Sequence, residues 1–280
     1  MASSKINCPI REPSGHMMID KSPDAAATAV AVQPFPLQFS VIIPVYNEAE
    51  NVLPLLGEIR AALAGRDDYE VVFVDDCSTD DTVDRLGPAL AASQTRTRLV
   101  RHSSRCGQSA AVRTGVRAAR GVWIATLDGD GQNDPADIPN LLDRAFMEGG
   151  PELVGGLRRK RRDVWSKRAA TKIANGLRQK VLNDGCMDTG CGIKVFRRDA
   201  FLALPFFGAM HRFLPALFQI HGYRVNHVEV NHRPRRRGVS KYGNLGRAAI
   251  GIVDLLGVYW LKRRTNLPAA IIENGVEQAL

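Results

Sequence analysis

"FSVIIPVYNEAENVLPLLGEIRAALAGRDDYEVVFVDD" (residues 39–76) decides the fold of this chain. Its two short β-branched runs, "FSVIIPV" (39–45) and "YEVVFV" (69–74), read as strands, and "AENVLPLLGEIRAAL" (49–63) between them reads as a helix. That is a βαβ unit. The rhythm continues with a helix after the capping candidates Ser78 and Asp80, a strand at "RLVR" (98–101), a helix at "SAAVRTGVRAAR" (109–120) and a strand at "VWIATL" (122–127). Strands alternating with helices imply an α/β fold with a mostly parallel sheet and helices on both faces, whose ligands bind beyond the carboxyl ends of the strands. By that rule Asp75 and Asp76 meet Asp128 and Asp130 at one crevice.

Beyond residue 137 the rhythm loosens into a helix at 137–148, a strand at 152–157, a basic helix at 164–182, "TGCGIKVF" (189–196) and a strand at "RVNHVEV" (224–230). "NLGRAAIGIVDLLGVYWLKRR" (244–264) is apolar with a basic end. Its run between Arg247 and Lys262 contains Asp254 and is shorter than the roughly 20 apolar residues of a membrane-spanning helix. It should lie on a surface or in an interface. The expected organisation is a flexible leader over 1–38, one catalytic-sized domain over 39–243, an amphipathic interface helix over 244–264 and a tail over 265–280.

The 280 residues are 45% hydrophobic and suffice for one large α/β core. The leader has no continuous apolar segment of the signal-peptide kind and is rich in small residues and proline. The odd, scattered cysteines Cys8, Cys77, Cys106, Cys186 and Cys191 lack a C-x-x-C pair, which argues against a disulfide framework and a zinc site and fits a reducing cytoplasm. A net charge of +9 calls for an anionic partner, and nucleic acid, phospholipid or phosphorylated metabolites all qualify. The charge gathers in "RRKRRDVWSKR" (158–168), "HRPRRRGVSK" (232–241) and "KRR" (262–264).

"LDGDGQNDP" (127–135) sets two carboxylates, Asp128 and Asp130, on either side of one glycine, with the amide of Gln132 two residues on. Like charges so close are relieved by a shared proton or by a cation. Oxygen-only ligands favour Mg²⁺ or Mn²⁺ over zinc. Glu48 in "PVYNE" and Asp76 in "DDCSTDD" each follow a strand by a few residues, where they could accept hydrogen bonds from a base or ribose, while Tyr46 could pack on the base. Either Glu48 or Asp80 alone would equally suit a helix cap. A metal at Asp128 and Asp130 would bridge the phosphates of a nucleoside diphosphate, which points to nucleotide-sugar chemistry.

In order, "PVYNE", "DDCSTDDT", "GQSAAVRTG", "LDGDGQNDP" and "SKYG" resemble family 2 glycosyltransferases of the Rossmann-like GT-A fold, over roughly residues 39–245. "GGLRRKRRDVWSKR", "DTGCGIKVFRRD" and "RPRRRGVSKYG" resemble the acceptor and phosphate-binding segments of its dolichyl- and polyprenyl-phosphate glycosyltransferases. The resemblance implies Pro44, Tyr46, Glu48 and Asp76 around the nucleotide, and Asp128, Asp130 and Gln132 around Mg²⁺ or Mn²⁺ and the diphosphate. It further implies Arg158 and Arg168 at the acceptor phosphate, and Arg235, Ser240 and Lys241 closing over the donor. "RHSSRC" (101–106) departs from the family, which often has an Asn and an aromatic there. His211 and Arg212 in "MHRFLP" fall in a stretch shared by bacterial members, where a structural role suits them equally.

The expected activity is inverting, metal-dependent transfer of a sugar from a UDP- or GDP-linked donor to a polyprenyl phosphate at the cytoplasmic membrane face. The protein is then peripheral, with room for a small membrane partner subunit. The rival is a family 2 transferase acting on a sugar hydroxyl, which needs a general base, and Asp188 is the best candidate. A nucleic-acid partner is not expected, because no RNA-binding fingerprint accompanies the basic clusters and "LDGDGQ" would go unexplained. Nucleotidyl transfer is disfavoured because "PVYNE", and not a glycine-rich phosphate loop, follows the first strand.

Overall fold

The computed structural model describes residues 37–91, 96–158, 176, 178–186, 188–231, 233, 244–268, 270–273 and 276–279. β1 (Phe39–Val45) and β2 (Tyr69–Asp75) pair in parallel, from Phe39 opposite Tyr69 to Val45 opposite Asp75. Between them α1 (Val52–Ala62) buries Val52, Leu55, Leu56 and Ile59, the single stripe that helical spacing produces. Val41, Ile43 and Val45 of β1 join one buried cluster with this stripe, while Ile42 joins a second cluster on the other side of the sheet. A strand covered on both faces needs apolar side chains at nearly every position, and that is how β1 and β2 read.

α2 (Thr82–Ala91), β3 (Thr97–Arg101), α3 (Gln108–Ala118) and β4 (Trp123–Thr126) complete the regular half. α3 lies so close to the sheet that a methyl group at Gly115 would collide with the Ile42 side chain. After the 3-10 turn Pro135–Asp137 come α4 (Ile138–Phe146), β5 (Leu153–Arg158), β6 (Lys194–Arg197), α5 (Arg198–Ala203), the 3-10 turn Met210–Arg212, α6 (Leu214–Ile220) and β7 (Val225–Val230). The sheet order is β3-β2-β1-β4-β6-β5-β7, with β6 antiparallel to both neighbours and every other pairing parallel. The expected mostly parallel α/β sheet is thus present, with one reversal.

That reversal has a consequence for the site. A strand running the opposite way begins where its neighbours end, so the loop leading into β6 arrives at the edge where β1, β4, β5 and β7 finish.

α7 (Asn244–Arg264) fills the range expected for the interface helix, and no helix among the described residues is long and apolar enough to cross a membrane. The segment expected as a plain tail holds two antiparallel strands, β8 (Ala270–Glu273) and β9 (Val276–Ala279). Of the basic helix expected over 164–182, the described residues 176 and 178–182 are helical. Residues 1–36 of the expected leader lie outside the described residues.

Candidate active site

Four loops at the carboxyl ends of β1 to β4 build the first half of the site. Asn47, in the left-handed region at φ 53°, donates its N–H to Ser78 Oγ (2.8 Å) and accepts the Thr79 N–H (2.8 Å) at its side-chain oxygen. Glu48 N–H donates to Thr82 Oγ1 (2.8 Å), which fastens the loop after β1 to the loop after β2. Ser78, expected as a helix cap, therefore serves as an inter-loop acceptor, whereas Asp80 does accept the Thr82 N–H (3.0 Å) at the start of α2. The Glu48 carboxylate accepts from the Asn51 side-chain amide (2.7 Å) beside the first turn of α1.

Asp76 is nearly fully buried, and its carboxylate organises the third loop. It accepts the Cys106 N–H (2.8 Å) and the Gly107 N–H (2.7 Å) and meets His102 Nδ1 (2.8 Å), while His102 Nε2 bonds Thr114 Oγ1 (2.9 Å). The departing segment "RHSSRC" is therefore a clamped loop that leads into α3. Its Arg105 guanidinium stacks over the Tyr46 ring, 4.1 Å from the centroid, on the ring that the sequence assigns to base packing. Asp75 does not reach the expected crevice: it is fully buried and accepts from the Ser78 N–H (3.2 Å).

The fourth loop carries the paired carboxylates. Gln108, the first residue of α3, donates its side-chain amide to Asp128 Oδ1 (2.7 Å), and the Asp128 N–H donates to Asn133 Oδ1 (3.3 Å). Asp130 accepts the Gln132 N–H (3.1 Å). Part of Asp128 stays open to the cavity, but protein surrounds its carboxylate closely. This desolvation, with the Asp130 charge second, pushes its pKa up to about 6, against the pull of Lys194, Gln108 and Arg158. Across from it a methyl group at Gly192 would collide with the Asp128 carboxylate, so only glycine permits this approach of the loop before β6.

That loop supplies the second half. Asp188 is locked to Arg158, the last residue of β5, by Nε to Oδ2 and Nη2 to Oδ1 bonds of 2.6 Å each, with both side chains nearly buried. The sequence assigned these residues to competing readings, and the structure makes them one unit. A cavity of about 520 Å³ lies between the halves, lined among others by Pro44, Gln108, Asp128, Asp188, Lys194 and Arg212. Lys194 is buried and donates to the Cys191 carbonyl. His211 Nδ1 bonds Ser109 Oγ (2.7 Å), which ties the turn Met210–Arg212 to the start of α3.

Beyond β7, Arg233 joins Glu58 of α1 (2.7 Å) and Asp134 (2.5 Å) and donates its N–H to the Gln132 carbonyl (3.0 Å), so it braces the fourth loop from outside. Arg168, Arg235, Ser240 and Lys241 lie outside the described residues. Gln108, Lys194, Gly192 and Arg233 were not assigned from sequence. A charged residue inside the apolar strand segment "TGCGIKVF" was the available signal for Lys194, and Gln108 stood in a quoted motif without a role.

The donor set fits a hard divalent cation. Asp128, Asp130 and Gln132 can offer oxygen ligands, and a dication would favour the ionised form of Asp128, whose pKa burial raises first and the Asp130 charge second. A separate trio, Asp76, His102 and Cys106, brings one ligand atom each within 4.8 Å of the others, but its Asp and His already bond each other.

Two matching relatives are named as polyprenyl-phosphate sugar transferases. Over 230 residues the chain is 33% identical to the dodecaprenyl-phosphate galacturonate synthase of Rhizobium johnstonii, covering 81% of this chain and 68% of that protein. Over 205 residues it is 35% identical to the undecaprenyl-phosphate 4-deoxy-4-formamido-L-arabinose transferase of Aeromonas hydrophila, covering 73% of this chain and 62% of that one. The chain thus spans about two thirds of the length of these polyprenyl-phosphate sugar transferases. In fold it is similar to glucosyl-3-phosphoglycerate synthase from Mycobacterium tuberculosis, solved with Mn²⁺, UDP and glucosyl-3-phosphoglycerate, with a TM-score of 0.62, 18% identity and 87% of each chain covered. The family model for Glycosyl transferase family 2 matches residues 40–204, and the chain belongs to that family.

Proposed function

We propose that this glycosyltransferase moves a sugar from a UDP- or GDP-linked donor to a polyprenyl phosphate, with inversion, as a peripheral protein at the cytoplasmic face of a membrane. The observation that carries this reading is the bond of Asp188, which lines the cavity beside Asp128, to the guanidinium of Arg158, whose charge is felt at Asp128. A hydroxyl acceptor needs a carboxylate to take its proton, and Asp188 spends one oxygen on each arm of the Arg158 fork. A phosphate acceptor needs no base, since its second pKa of about 6 leaves it largely ionised near neutrality. It needs fixed positive charge, which a guanidinium provides at any working pH. The names of the two relatives above, both polyprenyl-phosphate sugar transferases, support the same acceptor class.

The acceptor oxygen forms a bond to the anomeric carbon as the bond from that carbon to the diphosphate breaks. The electron pair leaves with the nucleoside diphosphate, and attack from the opposite side inverts the centre. Asp128, Asp130 and Gln132 would hold Mg²⁺ or Mn²⁺, which would supply Lewis-acid stabilisation to the leaving group. Gln108 fixes the Asp128 carboxylate, Asp188 holds the Arg158 guanidinium that we assign to the acceptor phosphate, and the clamped loop 102–107 borders the Tyr46 face at which we place the nucleotide. Arg168, Arg235, Ser240 and Lys241 keep their expected roles around acceptor and donor within this proposal.

Purified protein supplied with UDP- and GDP-sugars, Mn²⁺ and either polyprenyl phosphate or soluble glycans tests the reading. Lipid-linked sugar is expected with the phosphate alone. Transfer to sugar hydroxyls with none to lipid phosphate would overturn it.

A further inference from the structure

The cavity that holds Asp128 and Asp188 carries a further guanidinium. Arg212 lines the same cavity as Asp128 and Asp188, at the end of the turn Met210–Arg212. That turn is fixed from three directions. Ala209 before it is held in the left-handed region at φ 63°, His211 is bonded to Ser109, and Met210 and Phe213 are buried in the core. Such bracing fixes the Arg212 backbone at the cavity wall.

α7 meets this turn from the other side. Leu255 and Val258 are buried in the cluster that also holds Met210, Phe213 and Leu214. Arg212 lies close enough to the half-buried Asp254 of α7 to favour its ionised form against the burial that raises its pKa. On the opposite face of α7, Ile252, Val253, Leu256, Tyr259 and Trp260 are 41–69% exposed. At about 100° per residue these five fall in one stripe about 120° wide, with the exposed Arg263 and Arg264 continuing it at the helix end. An apolar stripe ending in cations suits an anionic lipid surface better than a protein partner, because the tail region and the headgroups are matched in turn.

We propose that Arg212 is a direct ligand of the acceptor phosphate, and that the outer stripe of α7 seats the bilayer from which that acceptor reaches the cavity. The inference rests on the lipid-phosphate reading above and adds a phosphate ligand and a membrane face to it. Arg158 is already held by Asp188, which lines the same cavity as Arg212, so two guanidinium groups would share one phosphate. The Arg212 fork would bind phosphate oxygens in pairs, which a lysine cannot copy.

The test measures initial rates against a long-chain polyprenyl phosphate and a short, water-soluble prenyl phosphate, with nucleoside diphosphate affinity followed by calorimetry in Mn²⁺. Arg212→Ala should raise the acceptor KM at least tenfold for both chain lengths and leave nucleotide affinity within twofold. Arg212→Lys, which keeps the charge and guards against a folding defect, should recover part of the loss. L256S/W260S should raise KM for the long-chain acceptor in vesicles and not for the short one. Turnover by the native protein with an unmoved KM in Arg212→Ala would overturn this inference alone, as would an equal loss of nucleotide affinity. A native protein that binds nucleotide but ignores every prenyl phosphate would overturn the lipid-phosphate reading and this inference with it.

Discussion

At the scale of single residues, Asp128 should govern how the proposed metal site responds to pH. Its folded pKa of about 6 lies above the ordinary 3.8, so in metal-free protein the protonated form is favoured by folding. The stability it contributes is present in full below about pH 4 and is lost as pH rises through about 6. A dication requires the ionised form, so Mn²⁺ affinity should fall by about tenfold per pH unit below 6 and level off above it. Calorimetric titration from pH 5 to 8 checks this; a flat affinity across the range would contradict it. EDTA should abolish transfer, with Mg²⁺ or Mn²⁺ restoring it, and Asp130→Ala should lower kcat more than a hundredfold, as Lewis-acid stabilisation worth several kcal/mol implies. The Arg158–Asp188 unit makes an asymmetric prediction. Arg158→Ala removes the cation and strands a buried carboxylate, so acceptor use should fall far more than donor affinity. Asp188→Asn retains the shape and a hydrogen-bond acceptor, and substantial turnover should survive. Complete loss in Asp188→Asn, with folding and donor binding intact, would restore the hydroxyl-acceptor alternative.

At the scale of elements, the site depends on backbone approach as much as on side chains. The loop before β6 touches the Asp128 carboxylate at Gly192, and Thr126 Oγ1 donates to the Gly192 carbonyl (3.0 Å). A methyl group there has to displace either Asp128 or the loop. Gly192→Ala should therefore weaken Mn²⁺ binding about tenfold or more while its melting temperature drops by only a few degrees, since a shift confined to one loop leaves both core clusters packed. Native metal affinity in a folded Gly192→Ala protein would show that the contact does not shape the site. The same logic sets Asp76 apart from Asp128. Two backbone N–H groups and His102 converge on the Asp76 carboxylate, and it holds a loop in place for whatever binds against Tyr46.

At the scale of the whole molecule, charge and apolar surface coincide at α7. In the proposed membrane attachment, its exposed stripe and terminal cations would bind lipid through shallow burial and Coulombic attraction, and no helix among the described residues is long and apolar enough to cross a bilayer. High salt or alkaline carbonate should release the protein from membranes, and L256S/W260S should lower its partition into anionic vesicles about tenfold or more. Retention after carbonate extraction, with no partner subunit present, would contradict a peripheral attachment.

The sequence alone determined the alternating strands and helices up to Thr126 and set out the carboxylate-rich motif at 127–135 that we propose holds a metal, because these depend on local periodicity and on residues a few positions apart. It also placed β5, β7 and α7 within a residue or two of their observed bounds. It could not show the reversal of β6, since a short apolar strand reads the same in either direction. The pairing of Arg158 with Asp188, the collision limit at Gly192 and the arrival of Arg212 and Lys194 in the cavity all follow from that reversal or from packing between distant segments. The role of Asp75 shows the same divide: adjacent carboxylates look alike in sequence, yet the pleat turns one into the core and leaves the next at the loop. Local chemistry wrote the motif, and the three-dimensional sheet decided which charges it faces.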